Sequence, residues 1–192
     1  MTLRNAVISV ILLECLVAAF AFYHYGQSLE ALQAVTRYSG RVSLFIFSII
    51  FILLPQHEPT LERILSTKPF LIFAVAHGIH LAELLTYVYL SGNELIPIRL
   101  AGGFLAYALI FAMPFIKQYV QTGKITVGRY KIAQTIYLYY VWFIFFMSYL
   151  PRVQGKLPDV GGQYWEFVVL LAWVCMMLGM KLSAILLVKR RI

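Results

Sequence analysis

Residues 69–91 read PFLIFAVAHGIHLAELLTYVYLS, and this stretch decides the class of fold. It is predominantly apolar and exceeds the roughly 20 residues that an α-helix needs to cross the hydrocarbon core of a bilayer. Three ionisable side chains, His77, His80 and Glu83, lie inside it at intervals of three residues. The stretch therefore predicts a transmembrane helix that carries a polar stripe.

Five more segments have the same character, so the sequence predicts six transmembrane spans. Their bounds are roughly 5–26, 39–55, 69–91, 96–117, 130–150 and 164–188. The second is the shortest, at about 17 residues. A β-barrel is excluded because apolar runs such as Ile8–Leu13 do not alternate with polar residues. We expect one all-α domain over residues 1–192, an integral membrane bundle of six helices.

The composition agrees with this class, because 61% of the residues are hydrophobic and only 12% are charged. Soluble domains carry about 25% charged residues, so a soluble globule or a disordered chain is excluded. The net charge of +8 comes from basic residues that flank apolar runs, which argues against nucleic acid as a partner. Cys15 and Cys175 lie inside apolar runs without a C-x-x-C context, so neither a disulfide nor a zinc site is expected.

The distribution of Lys and Arg predicts the orientation, since cytoplasmic loops carry the excess of positive charge. Six spans place both termini on one side, which holds ten basic residues against five on the other. The ten are Arg4, Arg63, Lys68, Lys117, Lys124, Arg129, Lys131, Lys189, Arg190 and Arg191. The five are Arg37, Arg41, Arg99, Arg152 and Lys156. We expect cytoplasmic termini and a bacterial inner membrane as the location.

Ionisable residues inside the spans are the candidate functional residues, because a charge at membrane depth is costly. Glu14 lies in the middle of the first span, and we expect it to face the bundle interior near the third-span stripe or Lys181. Gln134 lies one turn into the fifth span. Glu166 and Lys181 lie near the ends of the sixth, where we expect their charged groups to snorkel to the interface.

Three interpretations of the stripe remain open. A haem b site would use one imidazole as a ligand to iron. A non-haem metal site would use His77, His80, Glu83 and Glu14. A packing patch would pair His and Glu by hydrogen bonds between helices. The two histidines cannot both be axial ligands of one haem, since the ligands must approach from opposite faces of the ring.

Several short motifs occur in a familiar order. Tyr38-Ser39-Gly40-Arg41 precedes the second span, and Ala76-His77-Gly78-Ile79-His80-Leu81, followed by Leu84-Leu85-Thr86-Tyr87, forms the third. A basic loop then runs from Lys117 to Lys131, and Ser148-Tyr149-Leu150 ends an aromatic-rich fifth span. This order resembles the ferric reductase-like transmembrane domain family, and within it the haem-binding membrane subunits of bacterial methionine sulfoxide reductase systems.

The resemblance implies haem b between the third and fifth spans. His80 matches the third-span ligand, and His77 would then either support the ligand from behind or face a propionate. Gln134 and Met147 stand where the family has its fifth-span histidines. By depth we expect His80 to lie level with Val141, with Met147 about 9 Å further along. The resemblance then allows a haem held by His80 and Met147, a five-coordinate haem on His80 or His77, or a bundle without haem.

The resemblance also implies an electron-transfer subunit. Because flavin and nicotinamide domains are absent from these 192 residues, electrons would come from a protein partner in the membrane or at the basic cytoplasmic face. Two alternatives remain. The chain is a non-catalytic subunit of a larger membrane complex with a degenerate haem site, or a small proton or metal transporter that uses Glu14, His77, His80 and Glu83.

Overall fold

Six long helices build the protein in a computed structural model that describes residues 2–54, 68–92, 97–157 and 161–189. They are α1 (Leu3–Tyr25), α2 (Leu29–Leu53), α3 (Pro69–Ser91), α4 (Pro97–Gln121), α5 (Val127–Val153) and α6 (Tyr164–Lys189). Each contains a segment long and apolar enough to cross a membrane, and the described ranges contain no strand. The predicted all-α, six-span membrane fold is confirmed.

The start of α2 differs most from the predicted spans. This helix begins at Leu29 rather than at residue 39, and the Ser28 side chain caps it by accepting a hydrogen bond from the Ala31 N–H. The other helix ends lie within four residues of the expected bounds. An apolar run marks the part of a helix suited to lipid, whereas the helix itself begins where a cap satisfies its first N–H groups. The second span is therefore not short.

Helix α2 is the centre of the bundle, because it packs against α1, α3, α5 and α6. It runs antiparallel to α3, and the contacts along this pair are Gln33 with Tyr87, Gly40 with His80, and Phe47 with Phe73. Small residues on α2 allow this close approach, as they do in many membrane helix pairs.

Helices α2 and α6 run parallel along a polar seam. The bonded pairs are Arg41 with Glu166, Ser48 with Trp173, and Leu54 with Lys181. The members of the first two pairs are separated by 125 residues and those of the third by 127, so the register changes by only two residues along the seam. We call the end where α1 begins and α2 and α6 finish the terminal end. At the opposite end, α2 extends about ten residues beyond the start of α6, because Glu166 is level with Arg41.

Lys181 is buried inside the bundle, and the prediction that it snorkels is wrong. It is 4% exposed, and its Nζ donates to the carbonyl of Leu54, the residue that follows the last turn of α2. The final carbonyls of a helix lack partners within the helix and favour a positive charge nearby. Lys181 satisfies one of them from α6.

A continuous apolar core fills the half of the bundle toward the terminal end. Its central members are Leu44, Phe47, Phe51, Phe70, Phe73, Tyr137, Val141 and Phe145. Large apolar side chains also cover the outside of every helix, among them Leu12, Leu16, Phe45, Leu85, Phe104, Phe115, Ile132, Val169 and Leu186. Such a surface is unfavourable in water and suits the acyl chains of a lipid bilayer.

Candidate functional site

A group of buried and partly buried polar residues lies midway along α1, α2 and α3. We call it the polar cluster, and its members are Glu14, Ser39, Ser43, His77, His80 and Glu83. Glu14 and His80 are each the twelfth of the 23 residues in their helices. The expectation that Glu14 faces the interior near the third-span stripe is confirmed, since it is 3% exposed and interacts with Glu83.

Glu14, Ser39 and Glu83 form the centre of the cluster and come from three different helices. The Ser39 hydroxyl lies close to both carboxyl groups, and the two carboxyl groups interact electrostatically with each other. Both Glu14 carboxyl oxygens, Ser39 Oγ and Glu83 Oε2 are buried, and none has a hydrogen bond of good geometry within the described residues. Buried polar atoms are normally partnered, so these oxygens are available to something else.

His80 lies against the backbone of α2. A methyl group on Gly40 would be 3.1 Å from His80 Cε1 and 3.5 Å from Nε2, so the glycine makes room for the ring. The ring hydrogen-bonds the backbone carbonyl of Thr36, while Nδ1 is buried without a partner in the described part of the chain. The carbonyl therefore fixes the orientation of the imidazole.

His77 points to the other side of α3, toward α4 and α5. Its ring stacks on Phe73 and on Tyr107, with centroid distances of 5.2 Å and 4.8 Å, and meets the Phe145 ring edge-on at 5.9 Å. The His80 ring is 5.3 Å away. The three residues of the stripe therefore lie on successive faces of α3, as their spacing predicts. Glu83 faces the carboxyl group of Glu14, and His77 faces the aromatic core.

A polar layer lies on the opposite-end side of the cluster, and we define it by Arg41, Tyr149, Arg152 and Glu166. The Arg41 guanidinium donates to both carboxylate oxygens of Glu166, at 3.3 Å and 2.8 Å. Arg152 lies in the last turn of α5 and is near enough to His80 to interact with it electrostatically. Because α5 ends and α6 begins at this level, the polar layer lies between the cluster and the opposite end.

An aromatic layer closes the other side of the cluster and consists of Phe47, Phe70, Phe73, Tyr137 and Phe145. Phe47 contacts the rings of Phe73 and Phe145 at 5.4 Å and 5.5 Å, and Phe70 meets Tyr137 at 5.4 Å. All five side chains are buried. Among the described residues, buried aromatic side chains rather than ionisable groups therefore form this layer.

Met147 does not meet His80 in the structure. It is 42% exposed, on the side of α5 turned away from the buried Phe145 and Tyr149. The expected depth of His80 was also wrong. Phe70 contacts Tyr137, and His77 contacts Phe145, so residues of α3 and α5 at the same level differ by 67 or 68 in number. His80 is therefore level with Ser148 rather than with Val141. Met147 has nearly the right depth, but its side chain faces the lipid surface.

The described residues do not fit a haem held between α3 and α5. His77, Tyr107 and Phe145 occupy the space between these helices, and His80 is turned to α2. Gln134 is buried near the terminal end, roughly 20 Å along α5 from the level of His80. Binding of a haem through His80 would require the imidazole ring to move away from Gly40 and from the Thr36 carbonyl.

The non-haem metal site is not formed either. Within the described residues, no three His, Cys, Asp or Glu side chains lie close enough together to hold one metal ion. Glu14 and Glu83 face Ser39, whereas His77 is turned into the aromatic rings. The side chains of all four predicted ligands lie in the polar cluster, but they do not surround one position that a metal ion could occupy.

Ser39, Ser43 and Gly40 belong to the site but were not predicted as parts of it. A signal was present, because small and hydroxyl residues at spacings of three and four share one face of a helix. The span was expected to begin at residue 39, which left these residues at its edge rather than in the middle of a longer helix.

No protein-family model, curated protein or solved structure matches the chain. Membership of the ferric reductase-like family therefore stays a prediction from the motifs.

Proposed function

We propose that the protein is a membrane transport protein for small cations, protons included, and that the polar cluster is its binding site. The supporting observation is that Glu14, Ser39 and Glu83 meet from three helices, away from lipid, with oxygen atoms left unpartnered in the described residues. Ionisable groups at membrane depth are costly and mark ion or proton pathways. A bundle built for packing alone would pair them or replace them with apolar residues.

The cluster residues have complementary roles in this proposal. Glu14 and Glu83 supply the negative charge that attracts a cation. The Ser39 hydroxyl between them accepts and donates hydrogen bonds, so it adjusts to either state of the site. His80, fixed by the Thr36 carbonyl, is near enough to Arg152 to interact with it electrostatically.

The two sides of the cluster suggest how the site is reached. If the termini are cytoplasmic, the polar layer faces the outside and the aromatic layer closes the cytoplasmic side. The arrangement then favours exchange of the bound ion with the outer solution. Release to the cytoplasm requires the Phe47, Phe73 and Phe145 rings to move apart, as expected for alternating access around a central site.

Reconstitution into sealed liposomes tests the proposal. An imposed pH gradient, followed with an internal pH-sensitive dye in sodium, potassium or choline medium, should decay faster with the protein than in empty liposomes. Glu14→Gln keeps the size of the side chain and removes its negative charge, so the decay should fall to the empty-liposome rate. Glu30→Gln is the matched control, because Glu30 is exposed in the first turn of α2. Equal decay in wild type and empty liposomes in all three media would refute the proposal.

Electron transfer through haem b is the second candidate, and it requires the His80 imidazole to move away from Gly40 and the Thr36 carbonyl. The observation in its favour is that His77 and His80 are neighbours whose Nδ1 atoms are buried and unpartnered within the described residues. Protein expressed with excess haem should then show a reduced-minus-oxidised absorption band that His80→Ala abolishes and His77→Ala only weakens. A flat difference spectrum for the wild type would end this candidate.

We further propose the finer placement that the charge pattern suggests, with cytoplasmic termini in a bacterial inner membrane. The described basic residues at the terminal end include Lys117, Lys124, Arg129 and Lys131, around the α4–α5 turn. This basic face is also where a protein partner with acidic residues would dock by charge complementarity.

A further inference from the structure

We infer that the polar cluster binds a monovalent hard cation of the Na⁺ type, with Ser39 and Ser43 as ligands beside Glu14 and Glu83. This inference rests on the proposed function, because it names the cation that the site takes. The atoms that carry it are the five buried oxygens without partners in the described residues, namely Glu14 Oε1 and Oε2, Ser39 Oγ, Ser43 Oγ and Glu83 Oε2.

The two serines differ from their neighbours on the same helix. A hydroxyl inside a helix usually donates to the carbonyl four residues before it. Thr36 does so to Leu32 at 3.0 Å, and Ser48 does so to Leu44 at 2.8 Å. Ser39 and Ser43 are fully buried, yet neither hydroxyl has such a bond. Ser39 lies beside the carboxyl groups, and Ser43 lies one turn further along the same face of α2.

The kind of ligand atom selects the kind of ion. All five atoms are carboxyl or hydroxyl oxygens, which suit hard cations rather than soft ones such as Cu⁺. Ca²⁺ takes about six to eight oxygens, and Mg²⁺ demands an octahedral shell that keeps several waters. Five protein oxygens fall short of the Ca²⁺ shell, and two of them are neutral hydroxyls, so the set fits a monovalent ion better. The positive charge of Arg41 does not oppose the binding of a cation, because the Glu166 carboxylate neutralises it.

Thermal unfolding of the full chain in detergent tests the inference, since a ligand that binds only the folded state raises Tm. NaCl should raise Tm above the value in choline chloride at equal ionic strength, and KCl, MgCl₂ and CaCl₂ should do less. Ser39→Ala and Glu14→Gln should remove the Na⁺ effect, and Ser183→Ala, an exposed serine on α6, should keep it. Loss of one ligand should weaken Na⁺ binding by roughly tenfold to 100-fold.

The outcomes separate this inference from the proposed function. If wild-type Tm is equal in NaCl and choline chloride while liposomes still show Glu14-dependent ion movement, the Na⁺ site is wrong and transport stands. If Na⁺ binds without ion movement, the site stands and transport falls. A larger effect of CaCl₂, or a Na⁺ effect that survives Ser39→Ala, overturns the inference. Should the variants fold poorly, equilibrium binding of radioactive Na⁺ to wild type, with K⁺ as competitor, decides it.

Discussion

At Gly40 the absence of a side chain decides where an imidazole lies. His80 reaches the Thr36 carbonyl only because its ring rests on the glycine, and any larger residue would occupy that space. The position of His80 is thus set by a residue on another helix. The same is true of Glu14 and Glu83, which Ser39 brings into one site.

We expect Gly40→Ala to destabilise the protein by about 1–3 kcal/mol, because the added methyl overpacks the α2–α3 contact. The His80 ring, 3.1 Å from the new methyl, has to move. Equilibrium unfolding in detergent micelles measures the change.

Gly103→Ala is the matched control for this prediction. Gly103 also lies inside a helix, but a methyl group there meets no atom within 4 Å. It should therefore be neutral or stabilising by up to about 1 kcal/mol, from helix propensity alone. Equal losses in both variants would show that glycine at position 40 matters for the backbone and not for His80.

At the scale of the helices, the α2–α6 seam is the strongest polar link in the bundle. The Arg41–Glu166 pair is bidentate, with side chains that are 16% and 18% exposed. Charge-assisted bonds in this geometry are stronger than neutral ones and fix orientation. This ion pair and two hydrogen bonds, from Trp173 to Ser48 and from Lys181 to the Leu54 carbonyl, fix the position of α6 along α2.

We expect Arg41→Gln to destabilise the fold by about 2 kcal/mol, since it leaves the Glu166 carboxylate partly buried without its partner. A double-mutant cycle with Glu166→Gln should show a coupling of about 1 kcal/mol. Lys124→Gln, which removes an exposed cation 5.3 Å from the Tyr119 ring, should cost less than about 0.5 kcal/mol. A coupling near zero would mean that packing, not the ion pair, sets the register.

The sequence was informative about elements and less so about their contacts. Hydropathy predicted six spans and the interior position of Glu14, because apolar length and the cost of a buried charge act locally. Hydropathy predicted the start of α2 wrongly, because Arg37 and Arg41 lower the local hydropathy without interrupting the helix. Partners such as Glu166 for Arg41 and Leu54 for Lys181 lie more than 120 residues away in sequence, and local patterns cannot predict them.

At the scale of the whole molecule, the bundle is asymmetric along its axis. Most of the partly or fully buried ionisable groups lie in the cluster and the polar layer, while aromatic rings are concentrated toward the terminal end, where Lys181 is the exception. If the charge pattern sets the orientation, solvent reaches the cluster from outside the cell.

We expect a cysteine at position 156 to react with a membrane-impermeant maleimide in intact cells, and a cysteine at position 124 to react only after the cells are opened. Lys156 and Lys124 are both exposed and lie at opposite ends of the bundle. The parent protein should have Cys15 and Cys175 replaced by Ala, to remove background labelling. Labelling of position 124 in intact cells would reverse the orientation.

The distance in sequence between Arg41 and Glu166 has a consequence for how the chain is made. A ribosome that adds about 5–20 residues per second needs roughly 6–25 s to synthesise the stretch between them. Until then α2 carries a guanidinium that costs about 2.5–3.5 kcal/mol at the bilayer centre. The insertion machinery, or α1 and α3, must shelter this helix until the last one arrives. A nascent chain released after residue 157 would present that charge to lipid and become a target for membrane quality-control proteases.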